Sequence, residues 1–387
     1  MPGQEPGTDP KPGKVENLGL SPSEGRGGGV AFIRTFPCSG CGAKLTYRPG
    51  TRDLKCEFCG TVNHIAENDE RIEELDFDAY VHELETAHES FEAQTVRCTK
   101  CGAEQQLAGN LFAGKCAFCG TGIVGEGYAR RYIKPRALIP FQVDRAAAQE
   151  HFRRWVRGLW LAPGELKRRA QSEAGMTGTY LPFWTYDCHT ASDYEGERGE
   201  DYYTTETYRD AQGRTATRQV KHTNWFPASG HVEHFHDDVV VMATDSLPPM
   251  LRGAASSWKL EALVPYQPEF VSGYMAEAYR VGLREGYPVA KESIDATIYG
   301  LVRRDIGGDQ QRVHGIRTQY TDVRFKHVLL PVWVSAYRFG DKTYRFLVNG
   351  QTGEVAGESP ISWQKATLLV IAIVVVLLVA LVLSQHR

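Results

Sequence analysis

The sequence predicts an α+β protein: two small four-cysteine zinc ribbons, then a duplicated antiparallel-sheet-plus-helix region, then one C-terminal transmembrane helix. Three observations carry that reading. Eight of the nine cysteines fall into two quartets of identical spacing. Residues 127–361 mix strand-like runs rich in Tyr, Trp and Val with short helical patterns, and at Ala366 an unbroken apolar run begins. With 387 residues, 42% hydrophobic and 24% charged, the chain can build packed cores in two or three domains. Its 44 basic against 47 acidic residues exclude a chain-wide basic surface for nucleic acid. A mean hydropathy of −0.37 excludes a polytopic transporter and leaves room for one span.

Residues 1–33 are mostly Pro, Gly and polar residues without an apolar core, so they read as a disordered tail and not as a signal peptide. The first ribbon, 34–64, offers Cys38, Cys41, Cys56 and Cys59. The second, 96–126, offers Cys98, Cys101, Cys116 and Cys119. Each quartet reads Cys-x2-Cys, fourteen residues, Cys-x2-Cys, with Gly42, Gly60, Gly102 and Gly120 after the second cysteine of each pair. Zn²⁺ takes four thiolates in a tetrahedron, so two tight turns must each present a pair, and the spacer is long enough for a hairpin. The reading is two structural zinc ions, since four protein thiolates leave no open position for water. Disulfide clusters would need an oxidising compartment, and rubredoxin-like iron stays open as a rival metal. Cys188, alone on a strand, reads as a buried thiol.

Between the ribbons, 65–95 reads as an acidic amphipathic helical linker. Residues 67–92 hold eleven acidic side chains and one basic, Arg71, while Phe77, Tyr80, Val81, Leu84, His88 and Phe91 fall on one helical face. That face either packs on the ribbons or receives a partner. The next region divides into two α+β repeats, 127–260 and 261–361. Ala137-Leu138-Ile139-Pro140-Phe141 and Tyr180-Leu181-Pro182-Phe183-Trp184 echo Ala262-Leu263-Val264-Pro265-Tyr266 and Leu329-Leu330-Pro331-Val332-Trp333. Asp144 N-caps a helix over 146–157 closed by Gly158. Pro163 starts a short helix ending near Gly175, and a third helix covers 288–304 before Gly307-Gly308. Strands are expected at 180–189, 202–208, 215–226, 231–242, 323–339 and 342–348, with a short return at Glu354-Val355.

The transmembrane helix is placed at 363–384. Its charge-free stretch, 366–383, would span about 27 Å at 1.5 Å per residue, close to the hydrocarbon thickness. Trp363 and Lys365 suit one interface, His386 and Arg387 the other. Zinc thiolates and the missing signal peptide place the N-terminal domains in the cytoplasm, under a single-pass anchor in the inner (plasma) membrane.

Chemistry-bearing motifs are sparse. Gly-x4-Gly-Lys-Ser/Thr, Gly-x-Ser-x-Gly and His-Glu-x-x-His are absent from the sequence. Near His231, the side chains of His234, His236 and Asp238 would share one strand face, either as a metal site or as an exposed polar face. Tyr202, Tyr203 and Tyr208 beside Arg209 and Arg214 read as sheet packing more than as a groove.

The paired Cys-x2-Cys-Gly ribbons, the two Leu-Pro segments, the Asn349-Gly350-Gln351-Thr352-Gly353-Glu354-Val355 turn and the terminal anchor occur together. In this the chain resembles uncharacterised bacterial tail-anchored zinc-ribbon membrane proteins, some labelled as relatives of the primosomal helicase on the ribbons alone. The resemblance covers residues from Phe36 onward. It implies no established enzymatic activity and, through members in membrane-stress clusters with phage-shock-type and SPFH-band proteins, an adaptor at the bilayer. The expected function is a non-enzymatic membrane scaffold for cytosolic or membrane protein partners, touching lipid through its last helix and taking no identified small-molecule substrate. The alternatives are a membrane-tethered nucleic-acid-binding protein and a metal-dependent enzyme at the His-rich strand.

The first ribbon carries Arg34, Lys44, Arg48, Arg52 and Lys55, but the linker after it has a surplus of ten negative charges. Those charges oppose phosphate within a Debye length of about 8–10 Å. Binding of the protein to duplex DNA should therefore be weaker than about 10 μM in roughly 150 mM salt, as fluorescence anisotropy would measure. Submicromolar binding with a log–log salt slope of roughly −3 to −5, lost on reversing Arg48 and Arg52, would favour the nucleic-acid alternative.

Overall fold

A computed structural model describes residues 36–84, 90–98, 104–106, 113–115, 122–124, 128–164, 175–209, 213–247, 251, 257–339, 342–359 and 362–385. In chain order the strands are β1 (Leu45–Arg48), β2 (Asp53–Cys56), β3 (Val62–His64), β4 (Leu75–Asp76), β5 (Ser90–Arg97), β6 (Glu104–Gln106), β7 (Ala113–Lys115), β8 (Gly122–Val124) and β9 (Tyr128–Ile133). They continue with β10 (Ala137–Leu138), β11 (Thr177–Arg209), β12 (Thr215–Met242), β13 (Val264–Pro265), β14 (Met275–Ala276), β15 (Gln310–Phe339), β16 (Lys342–Asn349) and β17 (Val355–Gly357). The helices are α1 (Phe77–Leu84), α2 (Arg145–Gly158), α3 (Leu283–Ile306) and α4 (Trp363–Gln385). The result is a mixed α+β molecule built on a curled, mainly antiparallel sheet of nine strands.

The sheet grows from the antiparallel pair β11–β15, centred on Leu181 opposite Leu330. On the outer edge of β15, β10 adds in parallel at Val328–Leu329 and β16 adds antiparallel from Val332. On the outer edge of β11 the arrangement recurs, with β14 in parallel at Thr179–Tyr180 and β12 antiparallel from Phe183. Single hydrogen bonds match as well. Ile139 N donates to Leu329 O as Glu277 N donates to Tyr180 O, and Val143 N to Gly350 O as Val281 N to Ala243 O. Thus Met275–Tyr279 takes the place that corresponds to Ala137–Phe141. The sequence reading put 262–266 there, but that segment instead pairs antiparallel with β10 as β13.

Proline explains the changeovers. The Pro182 and Pro331 carbonyls accept from Ala243 N and Gly350 N on the outer edges. Their imide nitrogens face the same edges, in the gaps where the parallel neighbour gives way to the antiparallel one and no acceptor would be met.

Trp184 and Trp333 lie on one sheet face, because Trp333 pairs with Gly178, an even number of residues from Trp184. Trp333 Nε1 donates to Val143 O, just before the N-cap of α2, at 2.8 Å. Trp184 Nε1 donates to Val281 O, just before the N-cap of α3, at 2.9 Å. Both helices therefore pack on this face. α2 buries Ala148, Phe152 and Val156, with Phe152 stacked on Phe346 at 3.6 Å. Asp144 caps it as expected, accepting from Ala147 N at 2.7 Å. α3 starts at Leu283, ahead of the expected Pro288, because Tyr186 Oη bonds Leu283 O and draws the first turn into the core. The helix expected after Pro163 lies in residues outside those described.

Two further expectations change. Among its described residues the acidic linker is helical only over α1, whose Phe77 and Tyr80 pack on Tyr287 and Phe325, and Phe91 belongs to strand β5. The separate strands expected at 180–189 and 202–208 are one 33-residue strand, and those at 215–226 and 231–242 are one of 28. β15 likewise begins at Gln310, ahead of the expected residue 323. Together these three strands form an arm, backed on one face by Ile294, Ile298, Val302 and Ile306 of α3. Past Gly199, opposite Gln310, only β11 and β12 continue as a two-stranded ribbon.

Where the arm leaves the core the register slips, between Tyr186 and Cys188 against β12 and between Asp187 and His189 against β15. Asp238 and Asp322 adopt positive φ of 50° and 51° at this level. Lys326, 6% exposed, bonds Asp238 at 2.7 Å and Glu74 at 2.9 Å and lies 3.6 Å from Asp187. Burial lifts the Asp187 carboxyl to about 6 despite the Asp238 N–H and Lys326 that favour its charge. Replacing Lys326 with Met strands buried carboxylates and should cost about 3 kcal/mol in urea unfolding at neutral pH. Because loss of the ammonium raises the Asp187 carboxyl further, that deficit should shrink as pH falls toward about 6, where the variant has already taken up the proton.

Candidate metal centre

The first ribbon is the three-stranded sheet β1-β2-β3, and its two cysteine turns close over one end. The fourteen-residue spacer forms the expected hairpin, with Leu45 opposite Cys56. Gly42 N bonds Cys38 O and Gly60 N bonds Cys56 O, and both glycines have positive φ, 71° and 76°. A side chain there would resist the left-handed turn that swings each second sulfur back toward the first.

The ligand sulfurs of Cys38, Cys41, Cys56 and Cys59 all lie within 4.8 Å of one another. Cys38 and Cys59 sulfurs stand 3.4 Å apart, those of Cys41 and Cys56 3.6 Å. The Gly40 and Cys41 N–H groups hold the Cys38 thiol below its usual range. The Thr61 hydroxyl and N–H bring Cys59 down to about 6. The Ala43 N–H favours the Cys41 thiolate, but the sulfurs of Cys59 and Cys56 outweigh it and push Cys41 up to about 12. Cys38 and Cys59 are thus prepared as thiolates while crowding opposes ionisation of Cys41, a conflict that one bound cation resolves. This is one four-cysteine cluster that fits one metal ion, and an all-thiolate set suits zinc.

The ribbon is built into the body. Tyr47 N donates to Ser272 O, Ser272 Oγ donates to Leu45 O, and Gly50 N donates to Phe141 O. Tyr47 Oη, also buried, donates to Thr51 O. Arg52, half-buried, donates to Ala66 O and lies over the Phe270 ring, so its guanidinium is engaged by the protein itself. Of the second quartet, Cys98 is buried in the core beside Leu181 and Val332, whereas Cys101, Cys116 and Cys119 lie outside the described residues.

The His-rich strand is not assembled as a metal site among the described residues. His236 is buried with Nε2 3.1 Å from Thr190 Oγ1, and His234 contacts its ring edge-on. His231 bridges Asp193 and Glu233, whose carboxylates raise its pKa. The bulge turns Asp238 away to Lys326. A second close group, Asp187, Asp237 and Asp238, was missed in the sequence, and Lys326 already supplies its cation. Cys188 is buried, and burial pushes its thiol up to about 11, in keeping with an inert side chain.

Geometry therefore defines the class: an α+β protein with, among the described residues, one four-cysteine centre and, in α4, one helix long and apolar enough to cross a membrane. The chain is distantly similar to the uncharacterized protein YdjG of Bacillus subtilis (strain 168), 26% identical over 332 residues. That alignment covers 86% of this chain and 91% of the other. No family model matches the chain, and no solved structure matches it significantly.

Replacing Cys56, 0% exposed, with Ser should remove one equivalent of zinc from the purified protein, as elemental analysis would show. Thermal unfolding should move down at the same time, since the ribbon shares its core with α2. Unchanged metal content would refute this centre.

Proposed function

We propose that the protein is a non-enzymatic scaffold of the zinc-ribbon membrane class, anchored by α4 in the inner membrane with its other domains in the cytoplasm. Two structural zinc ions, one per quartet, hold the ribbons, and the two β-α-β-β units derive from a duplication. The matched hydrogen bonds of Val143 with Val281 and of Trp333 with Trp184 support the duplication. An association with envelope stress follows from the family resemblance.

The arm is the observation that carries the scaffold reading. Ten residues of β11 beyond Gly199 pair only with β12, a reach of roughly 33 Å at 3.3 Å per residue. A two-stranded ribbon of this kind is marginal alone and contributes nothing to the core. Yet it exposes Tyr202, Tyr203 and Tyr208, a residue type that anchors protein interfaces. The engagement of Arg52 by the protein itself weighs against the nucleic-acid alternative.

The arm can be shortened without touching the body by replacing residues 203–221 with Asn-Gly between Tyr202 and its partner His222. In-cell crosslinking of the full chain should recover protein partners that the short-arm variant loses at least tenfold, with zinc content and membrane retention unchanged. An identical partner profile for both proteins would refute recruitment by the arm.

A further inference from the structure

We propose that the loop closing α2 is a second membrane-docking surface, which sets Trp160 and the Arg153, Arg154 and Arg157 side chains on anionic lipid headgroups beside the α4 span. The proposal rests on the reading of α4 as a membrane anchor and adds where the body touches the bilayer.

Covalent distance and spatial distance disagree here. Lys365, in the first turn of α4, donates to Trp160 O at 3.1 Å and Ala162 O at 2.7 Å across some two hundred residues. Ser362 N donates to Leu161 O at 2.9 Å. These three bonds fix the loop at the mouth of the apolar helix, so a bilayer that receives α4 meets this loop at its surface. The loop presents Leu159-Trp160-Leu161, and Trp160 is 60% exposed while Trp363 beside the junction is 85% exposed. Neither indole is needed by the core, and tryptophan is enriched at the depth of lipid headgroups, where its ring is half apolar and its N–H can be wet.

Charge agrees with that placement. The inner face of α2 is spent on Ala148, Phe152 and Val156. Its last turns carry Arg153, Arg154 and Arg157, all exposed, against Glu150, the one acidic residue of the helix. Glu150 lies 2.9 Å from Arg157 and 3.8 Å from Arg153 and can neutralise one of the two. The negative end of the helix dipole offsets about half a charge more. Within the helix itself basic residues therefore outnumber acidic ones at the end of α2 nearest the span. A phosphatidylglycerol-rich surface is complementary to that basic excess, and each basic residue near such a surface is worth roughly a fivefold shift in occupancy.

The test uses the full chain reconstituted in phosphatidylcholine vesicles with or without about 30% phosphatidylglycerol, with acyl chains brominated near the headgroup to quench nearby tryptophan. The Trp363→Phe protein should keep a quenched fraction in anionic vesicles that disappears on adding Trp160→Phe. Changing Arg153, Arg154 and Arg157 to Gln together, or omitting phosphatidylglycerol, should lower it severalfold. If Trp363 is quenched but Trp160→Phe changes nothing, docking of the loop is refuted and the anchor stands. If no tryptophan is quenched and the protein does not float with vesicles, the anchor fails and the docking surface with it. Quenching of Trp160 that is indifferent to lipid charge and to the arginine changes would refute recognition of anionic headgroups.

Discussion

Everything in this molecule hangs on the antiparallel pairing of β11 with β15. Leu181 faces Leu330 at its centre, and each strand carries a tryptophan that bonds the carbonyl entering the other unit's helix. A buried indole N–H without an acceptor would cost about 1–3 kcal/mol, so each tryptophan fixes both the depth and the entry point of a helix that its own unit does not supply. The two β-α-β-β units are interlocked in consequence. Neither can bury its helix without the partner strand, so both cores depend on the long β11–β15 ladder.

The frame is matched, but its two halves are used differently. Beside Phe141 and Trp333, the first ribbon inserts Tyr47, with Tyr274 stacked on Phe141 at 4.3 Å. Around Tyr279 and Trp184, it is α1 that delivers Phe77 and Tyr80. One N-terminal segment thus serves both halves in turn, first by the four-cysteine ribbon and then by a short helix. The bulged line at Asp187, Asp238 and Asp322 adds the other asymmetry, since it redirects β11, β12 and β15 away from the core into the arm. Lys326 makes that bend tolerable by placing one ammonium among carboxylates that three different chain segments bring together.

What was legible in the sequence was local chemistry. The cysteine spacing, the Asp144 cap, the paired Leu-Pro segments and the apolar run each declare themselves within a few residues. The counterpart of Ala137–Phe141 did not, because its role is carried by backbone bonds that leave side chains free to diverge. Where the first unit has Ile139, the second has Glu277, fully buried, accepting from Thr244 and Ser246, its carboxyl lifted to about 8 by burial. The arm was hidden for a related reason. Its helix-covered face includes Thr190, Ser192 and Gly196, and its open face carries Asp193, Glu195 and Glu197, so neither face offers the unbroken apolar alternation that marks a strand. The acidic linker was over-read as helix because Phe91 fits a helical period that strand β5, through its pairing with β9, overrides.

The placement of the first ribbon gives its metal a reach beyond its own thirty residues. Cys38 and Cys56 belong to the same buried cluster as Phe141, Phe152 and Val156. Phe152 and Val156 are the inner face of α2, and the loop that ends α2 is held by Lys365 at the start of α4. Sulfur, aromatic core, α2 and the start of α4 are therefore linked contact by contact among the described residues. Such continuity does not by itself transmit a signal, which would need an element with two arrangements. It does mean that the orientation of the arm relative to the start of α4 is set by packed side chains and by the bonds of Lys365 to the loop that ends α2.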